Sequence, residues 1–285
     1  MHILFIGDIV GRPGRDLVER GLDALVRQYA IDLVIANAEN AAGGFGITRE
    51  IGEALLDAGV DVMTSGNHIW DKKEALEYIQ IEPRLLRPAN YPAGVPGRGS
   101  YLAWTAAGRP VGIVNVMGRV FMPILDDPFA VVLREVDALR EHTRIVFVDF
   151  HAEATSEKLA MAWHLDGRAT AVVGTHTHVQ TADERLLPGG TACITDVGMT
   201  GPHDSIIGVV KEAALSRFLT GLPSRFETAT GDPRLHAVVV RADEATGRAT
   251  AIERLSLSAG QLQRLADTGR DDRAPADAAS PVPIK

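Results

Sequence analysis

Short apolar runs alternate with longer helical stretches along most of the chain, and this alternation limits the folds that the chain can adopt. We predict strands at residues 2–7, 33–36, 60–63, 110–116, 145–150, 169–173 and 192–195. We predict helices at residues 15–28, 71–79, 128–142, 156–165 and 209–220, with Asp71 as the N-cap of the second. Strands that alternate with helices are typical of an α/β protein.

The length and composition indicate one large domain. The chain has 285 residues, 46% of them hydrophobic, which is enough to bury a sizeable core. We therefore predict a single domain over residues 1–260 and a polar tail over residues 261–285 that adds little to the core. Residues 85–104, rich in Pro and Gly, are interpreted as a long surface connection. Residues 235–242 and 248–257 predict an antiparallel hairpin that closes a second sheet.

Charge and cysteine content exclude several classes of function. The net charge of -8 argues against binding of long nucleic acid, although small phosphate substrates remain open if metal ions supply positive charge. Cys193 is the single cysteine, so the chain forms no internal disulfide and no thiolate zinc cluster, which suits the cytoplasm. Metal ligands are then limited to His, carboxylate and amide groups. Asp8 and Arg119 interrupt the two most apolar stretches, so we predict no membrane segment.

Side chains that can bind metals or transfer protons follow five of the predicted strands. They are Asp8, Glu39, Asn40, Asn67, His68, His151, His176 and His178. Ligand chemistry in open α/β sheets concentrates at the carboxyl ends of strands, so we expect these side chains to lie together. Any one of them has an ordinary explanation, such as a helix-capping role for Asp8. The glycines that follow Asp8 do not form a dinucleotide-binding or Walker motif.

The histidine pair His176 and His178 stands where a buried strand ends. Residues two apart on an extended strand lean to the same face, so both rings can reach neighbouring ions. An isolated pair of this kind is explained equally well by solvated turn histidines. Two loops also have alternative interpretations. The loop at residues 117–127 forms either a wall of a substrate pocket or part of the core, and His203 is expected to be solvated rather than to contact substrate.

The polar motifs at the strand ends, and the order in which they occur along the chain, resemble those of the calcineurin-like metallophosphoesterases. A bacterial branch of that superfamily, the 2',3'-cyclic-nucleotide phosphodiesterases, is similar over nearly the whole chain. The segments that carry the likeness are Asn37-Ala38-Glu39-Asn40, Gly66-Asn67-His68, Asp149-Phe150-His151-Ala152-Glu153, Thr175-His176-Thr177-His178 and Gly198-Met199-Thr200-Gly201-Pro202. Two departures from the superfamily pattern resemble the branch itself. No histidine stands two residues after Asp8, and Glu39 replaces the bridging aspartate.

The resemblance implies the metallo-dependent phosphatase fold, a four-layer αββα sandwich in which two mixed sheets face each other with helices outside. It also implies two divalent transition-metal ions, with Fe or Mn favoured and Zn also suited to the ligands. One ion would be held by Asp8, Glu39, Asn40 and His178, and the other by Glu39, Asn67, His151 and His176. Two such ions bring four positive charges, of which Asp8, Glu39 and a bridging hydroxide remove three. The remaining positive charge favours binding of an anionic phosphodiester substrate.

The resemblance further implies an enzyme that hydrolyses 2',3'-cyclic nucleotides to 3'-monophosphates with metal-activated hydroxide as nucleophile. His68 would protonate or hydrogen-bond the leaving 2' oxygen, while Glu153 and Thr175 would orient ligands. Two alternatives stay open: a phosphomonoesterase or protein phosphatase on the same site, or a regulatory protein that binds metal and nucleotide with little turnover. The expected partner is a small cyclic nucleotide, and the sequence also allows a homo-oligomer.

Overall fold

In the computed structural model, residues 1–271 are described, and they contain thirteen strands and seven helices. The strands are β1 (His2–Ile6), β2 (Asp8–Ile9), β3 (Leu33–Asn37), β4 (Val62–Thr64), β5 (Ser100–Trp104), β6 (Pro110–Met117), β7 (Val146–His151), β8 (Ala171–Thr175), β9 (Arg185–Leu186), β10 (Ala192–Ile194), β11 (Met199–Pro202), β12 (Pro233–Ala242) and β13 (Ala249–Ser258). The helices are α1 (Gly11–Tyr29), α2 (Arg49–Asp57), α3 (Ala75–Ile81), α4 (Pro128–Arg140), α5 (Thr155–His164), α6 (Lys211–Thr220) and α7 (Ala259–Asp271).

The strands form two mixed sheets. The first has the order β2-β11-β12-β1-β3-β4, with β13 paired to β12, and its β1, β3 and β4 are mutually parallel. The second has the order β5-β6-β7-β8-β10-β9, in which β6, β7, β8 and β10 are parallel and the two edge strands are antiparallel. Parallel neighbours require crossover connections, and helices supply several of them.

Alternation of buried side chains along β1 shows how the layers pack. Ile3 and Phe5 point into the apolar core between the two sheets, where the Phe5 ring stacks on Phe147 of β7 at 5.5 Å. Leu4 and Ile6, on the opposite face, pack against the helices that cover the first sheet. A third core lies between the second sheet and its helices. The predicted four-layer αββα sandwich is therefore confirmed.

The register of the parallel strands brings their carboxyl ends to one edge. Asn37 pairs with Thr64 where β3 and β4 end, and His151 pairs with Thr175 where β7 and β8 end. The polar residues that follow these strands therefore meet across the gap between the two sheets. No helix among residues 1–271 has the length and apolar character needed to cross a membrane.

The predicted antiparallel pairing of the hairpin is confirmed, but its predicted assignment to the second sheet was wrong. Strands β12 and β13 pair in antiparallel fashion, but they belong to the first sheet, because β12 also pairs with β1 through partners such as Ile3 and Val240. Both faces of β12 are apolar. Leu235 packs toward the helices and Val238 packs between the sheets, so this strand needs a central position.

The predicted capping role of Asp71 was wrong. Helix α3 begins later, after Glu74, and the Asp71 carboxylate instead accepts a hydrogen bond from the His68 ring. The segment at residues 85–104 is also less exposed than expected, because Leu85 and Leu86 are buried and the segment ends in strand β5. Local composition identified the turns in this region but not the core contacts.

The expectation that residues beyond 260 add little to the core was wrong for the part of the tail that the structure describes. Leu262 is only 3% exposed and joins the core of the first sheet, where α7 packs against α1. Gly21 of α1 makes room for it, since a Cβ there would lie 2.9 Å from a Leu262 methyl group. Helix α7 has a short apolar stripe, although the composition of the segment is polar. Residues 272–285 lie outside the described residues.

Candidate metal centre

All eight residues selected from the sequence lie at the edge where the strands end. Asp8, Glu39, Asn40 and His151 are buried, and Asn67, His68, His176 and His178 are half-buried. Asp8 begins β2 directly after β1, His151 is the last residue of β7, and the other six follow β3, β4 and β8. Strands from both sheets therefore contribute to one cluster, as the strand-end pattern predicts.

The side chain of His151 is the centre of the first half of the cluster. Its Nε2 lies 2.9 Å from Asn67 Oδ1, 3.1 Å from Glu39 Oε1 and 3.0 Å from His176 Nδ1. One ring nitrogen cannot form good hydrogen bonds with all three atoms. Ligand atoms of Glu39, His151 and His176 lie within 4.8 Å of one another, which is a suitable set for a divalent metal ion.

The second half of the cluster includes an unpartnered carboxylate oxygen. Asp8 Oδ2 accepts a hydrogen bond from the His176 backbone N–H at 3.2 Å, but Oδ1 is buried with no hydrogen-bond partner among residues 1–271. Such an oxygen carries a large desolvation penalty, which a bound cation removes. Asn40 Nδ2 lies 3.2 Å from His178 Nε2 and 3.4 Å from Glu39 Oε1. Rotation of the Asn40 amide by a half-turn would place its oxygen, the atom that binds metals, at the position of Nδ2.

Each candidate ligand histidine is held through its other ring nitrogen. The three bonds join His151 Nδ1 to Thr175 Oγ1 at 3.0 Å, His176 Nε2 to Glu153 Oε2 at 3.1 Å, and His178 Nδ1 to the Ile207 carbonyl at 2.8 Å. Because these nitrogens donate outward, the opposite nitrogens can present lone pairs to the cluster. The residues expected to orient ligands, Glu153 and Thr175, therefore contact the rings.

A buried aspartate beneath the cluster was missed as a site residue. Asp149 accepts hydrogen bonds from Thr175 Oγ1 at 2.7 Å, Thr64 Oγ1 at 2.5 Å and Asn37 Nδ2 at 3.2 Å. Since the Thr175 proton goes to Asp149, its lone pair is available to the His151 N–H. Burial raises the pKa of Asp149 to about 7. The sequence feature that could have identified Asp149 is its position as a charged residue inside the apolar run of β7.

The protonation states of the cluster suit cation binding. Burial opposes ionisation of Glu39, but His151 outweighs it and lowers the pKa of this carboxyl to about 2. Burial and the charge of His151 lower the pKa of His176 to about 3, so this ring is neutral, as a ligand must be. Burial favours the neutral form of His151, but the negative charge and hydrogen bond of Glu39 outweigh this effect and raise the pKa of His151 to about 9. A metal ion must displace that proton.

The histidine pair lies in a turn after strand β8, but its backbone is not the extended one that was expected to direct both rings to the same face. Strand β8 ends before it, and both His176 (φ 102°) and His178 (φ 65°) lie in the left-handed region, which is costly for residues with a Cβ. A buried ion pair holds the loop in place. Lys158 Nζ donates to Asp196 Oδ2 at 2.7 Å, and the same oxygen accepts from the Thr177 backbone at 3.1 Å and from its hydroxyl at 2.8 Å. No local pattern in the chain predicts this pair.

His68 is oriented differently from the ligand histidines. Its Nδ1 donates to Asp71 Oδ2 at 2.8 Å, and its backbone N–H donates to Glu39 Oε2 at 2.9 Å. The edge of the ring contacts Phe45, with centroids 5.0 Å apart. His68 lines a cavity of about 390 Å³ together with Glu39 and the histidine pair. Its Nε2 is therefore suited to act on a bound molecule.

Two loop expectations were wrong. Phe121 of the loop at residues 117–127 is 90% exposed and does not line this cavity, so it forms neither a pocket wall nor core. His203 is half-buried rather than solvated. It donates from Nδ1 to the Gly201 carbonyl at 3.0 Å and packs against His236, with centroids 4.4 Å apart.

The hydroxyl of Thr175 offers a test of how His151 is held. Thr175→Val keeps the shape of the side chain and removes the acceptor of the His151 N–H, so metal affinity should fall by roughly 10- to 100-fold. Thr175→Ser, which keeps the hydroxyl, should bind metal nearly as well as the wild type. Titration of metal-free protein with Mn²⁺ measures both. Equal affinity in all three proteins would show that this bond does not matter.

Comparisons with known proteins agree with the fold and the motifs. A family model described as YmdB-like protein matches residues 4–255. The chain is 51% identical over 259 residues to a 2',3'-cyclic-nucleotide 2'-phosphodiesterase of Bacillus subtilis (strain 168), with 90% of this chain and 97% of that protein covered.

Two solved structures are also similar. The first, a hypothetical protein from Thermus thermophilus, has a TM-score of 0.84 and 46% identity, and the match covers 90% of this chain and 99% of that one. The second, described as a novel phosphatase of Mycoplasma pneumoniae, has a TM-score of 0.85 and 35% identity over 90% of this chain and 93% of the other. From its strand-end motifs, its four layers and these relatives, the chain belongs to the YmdB-like protein family, a branch of the metallophosphoesterases.

Proposed function

We propose that this protein is a metal-dependent phosphodiesterase that hydrolyses 2',3'-cyclic nucleotides to 3'-monophosphates. The observation that carries the proposal is the convergence of Glu39, His151 and His176 beside a cavity of about 390 Å³ that His68 also lines. This volume falls within the range of roughly 300–1,000 Å³ found for small-molecule sites. The similarity to the Bacillus subtilis enzyme, which is named for this activity, supports the choice of substrate.

The proposed ligands divide into two sets that share Glu39. One set comprises Asp8, Glu39, Asn40 and His178, and the other comprises Glu39, Asn67, His151 and His176. Imidazole, amide and carboxylate donors suit Fe or Mn, and Zn also accepts them. When bound, two such ions would supply positive charge to the phosphate and lower the pKa of a shared water. The single buried Cys193 supports a cytoplasmic location.

His68 is the proposed proton donor. Opening the cyclic phosphate adds water at phosphorus, breaks the bond to the 2' oxygen, and requires a proton on that oxygen. The bond from Nδ1 to Asp71 fixes the orientation of the His68 ring, and Nε2 then delivers the proton. Because the 3' bond is retained, the product is the 3'-monophosphate.

Hydrolysis of phosphomonoesters is the second candidate, since one of the similar solved structures is described as a phosphatase. Bimetallic chemistry by itself does not choose between ester classes. The two candidates make different demands on the leaving group, because only the cyclic diester keeps its leaving oxygen tethered to the substrate.

A panel of substrates tests the proposal. Metal-loaded protein should be assayed in parallel with 2',3'-cyclic AMP, 3'-AMP, p-nitrophenyl phosphate and a phosphopeptide. We expect kcat/KM for the cyclic nucleotide to exceed the other values by about 10-fold or more. A higher value for either monoester would favour the phosphatase, a higher value for the phosphopeptide would favour a protein phosphatase, and no turnover with full metal content would favour a regulatory role.

A further inference from the structure

The cavity beside the proposed metal centre is lined by two chemically different sets of residues, which we call its polar side and its apolar side. Its polar side contains the candidate ligands and His68. The apolar side comprises Val10, Phe45, Ile207, Val209 and Phe226, and the polar residues Glu227 and Thr228 adjoin Phe226 in the chain. A phosphate and a ribose are polar and account for the first side only. The apolar side requires a part of the ligand with flat or apolar surface.

Phe226 is the best-supported aromatic residue on this side. It is half-buried, and the guanidinium carbon of Arg217 lies over its ring, 5.1 Å from the centroid. This cation–π contact restrains the ring. The second aromatic residue, Phe45, makes a T-shaped contact with the ring of His68. An apolar ligand group on this side would therefore lie close to the proposed proton donor.

Thr228 adds an unsatisfied polar atom to the same side. Its Oγ1 is buried and has no hydrogen-bond partner among residues 1–271, and the residue lines the cavity. Two glycines with positive φ pack closely against Thr228, and a side chain at either would collide with it. A Cβ on Gly44 would lie 2.8 Å from Thr228 Oγ1, and one on Gly11 would lie 2.7 Å from Thr228 Cγ2. A ligand that donates or accepts a hydrogen bond here would satisfy this hydroxyl.

From these observations, and resting on the function proposed above, we infer that the apolar side of the cavity binds the nucleobase of the substrate. Phe226 would stack on the base, Phe45 would contact it near the ribose, and the Thr228 hydroxyl would bond to its polar edge. A base combines a flat π-face with polar edge atoms, so it matches both the aromatic rings and the unpartnered hydroxyl.

The test compares two substrates with the same reacting group. One is 2',3'-cyclic AMP, and the other is methyl ribofuranoside 2',3'-cyclic phosphate, in which a methoxy group replaces the base. Wild-type protein should have a KM for cyclic AMP that is lower by roughly 10-fold or more, the scale of base–aromatic stacking. Phe226→Ala should remove most of this difference by raising the KM for cyclic AMP, while the values for the base-free substrate stay unchanged.

Further variants test the same inference if Phe226→Ala is poorly folded. Phe226→Leu keeps an apolar side chain without a π-face and should lose part of the preference for the base. Thr228→Val keeps the shape and removes the hydroxyl, so the KM for cyclic AMP should rise roughly 5-fold. Phe121→Ala is the matched control, because that ring is 90% exposed and lies outside the cavity wall. It should behave like the wild type.

Failure of this inference is distinguishable from failure of the proposed function. If the wild type hydrolyses both cyclic phosphates with the same KM, or if Phe226→Ala weakens both equally, the base does not bind on the apolar side although the enzyme is a cyclic phosphodiesterase. If the wild type hydrolyses neither substrate, the proposed function is wrong, and the assignment of a nucleobase site is overturned with it.

Discussion

Glu39→Ala should lose both metal ions and reduce turnover of 2',3'-cyclic AMP by more than about 100-fold, beyond the effect of removing an orienting group. Glu39 is fully buried between the two proposed ligand sets. Its Oε1 lies 3.1 Å from His151 Nε2 and 3.4 Å from Asn40 Nδ2. Removing this carboxylate takes a ligand from each ion and leaves His151 without its charge partner. Elemental analysis of protein purified without chelator measures the metal content per chain.

Two variants act as controls for this result. Glu53→Ala removes an exposed carboxylate that pairs with Arg49 at 2.7 Å, and metal content and turnover should be unaffected. His178→Ala removes a ligand from one set only, so it should preferentially lose one ion. Full metal occupancy in Glu39→Ala, with normal folding, would contradict the proposed bridging role.

His68→Ala should keep its metal ions and lose turnover of 2',3'-cyclic AMP by roughly 100-fold or more, the effect of removing a positioned proton donor. The His68 ring bonds to Asp71, outside the ligand cluster, which is why metal binding should be retained. Asn67→Ala is the comparison, because the neighbouring Asn67 side chain contacts His151 and its loss should weaken metal binding. Metal content and kcat should be measured on the same preparations.

The leaving group separates proton donation from a structural role for His68. Bis(4-nitrophenyl) phosphate releases 4-nitrophenolate, which needs little protonation, so the defect of His68→Ala should be much smaller with this diester than with cyclic AMP. Asp71→Asn should show a milder form of the same pattern. An equal defect on both substrates would argue against proton donation, and full recovery of His68→Ala on addition of metal would identify His68 as a ligand.

Much of the fold follows from local sequence patterns, because most strand and helix positions depend on periodicity and turn residues. The N-cap at Asp71 was a local failure, whereas the failures at β12 and α7 concern long-range partners. The apolar run in β12 predicts a strand, but its place beside β1 depends on a contact across more than 200 residues, as between Ile3 and Val240. Helix α7 was missed because few of its side chains contact the core, chiefly Leu262 in the space at Gly21 and the partly buried Leu265.

The candidate site could be predicted from strand ends, since parallel strands carry the residues that follow them to one edge. The groups that support the site could not be predicted in the same way. Asp149 acts through Thr175, and Lys158 reaches Asp196 across 38 positions, so neither forms a local motif. The left-handed conformations of His176 and His178 were also unexpected, because backbone strain depends on the bonds that surround the loop.

The most direct measurement follows the reaction by ³¹P NMR, with metal-loaded wild-type protein and 2',3'-cyclic AMP. The proposed function predicts that the signal of the cyclic phosphate is replaced by that of 3'-AMP, and that 3'-AMP then persists without release of inorganic phosphate. The contradicting result would be an intact cyclic phosphate under conditions in which the same preparation converts 3'-AMP to adenosine and phosphate.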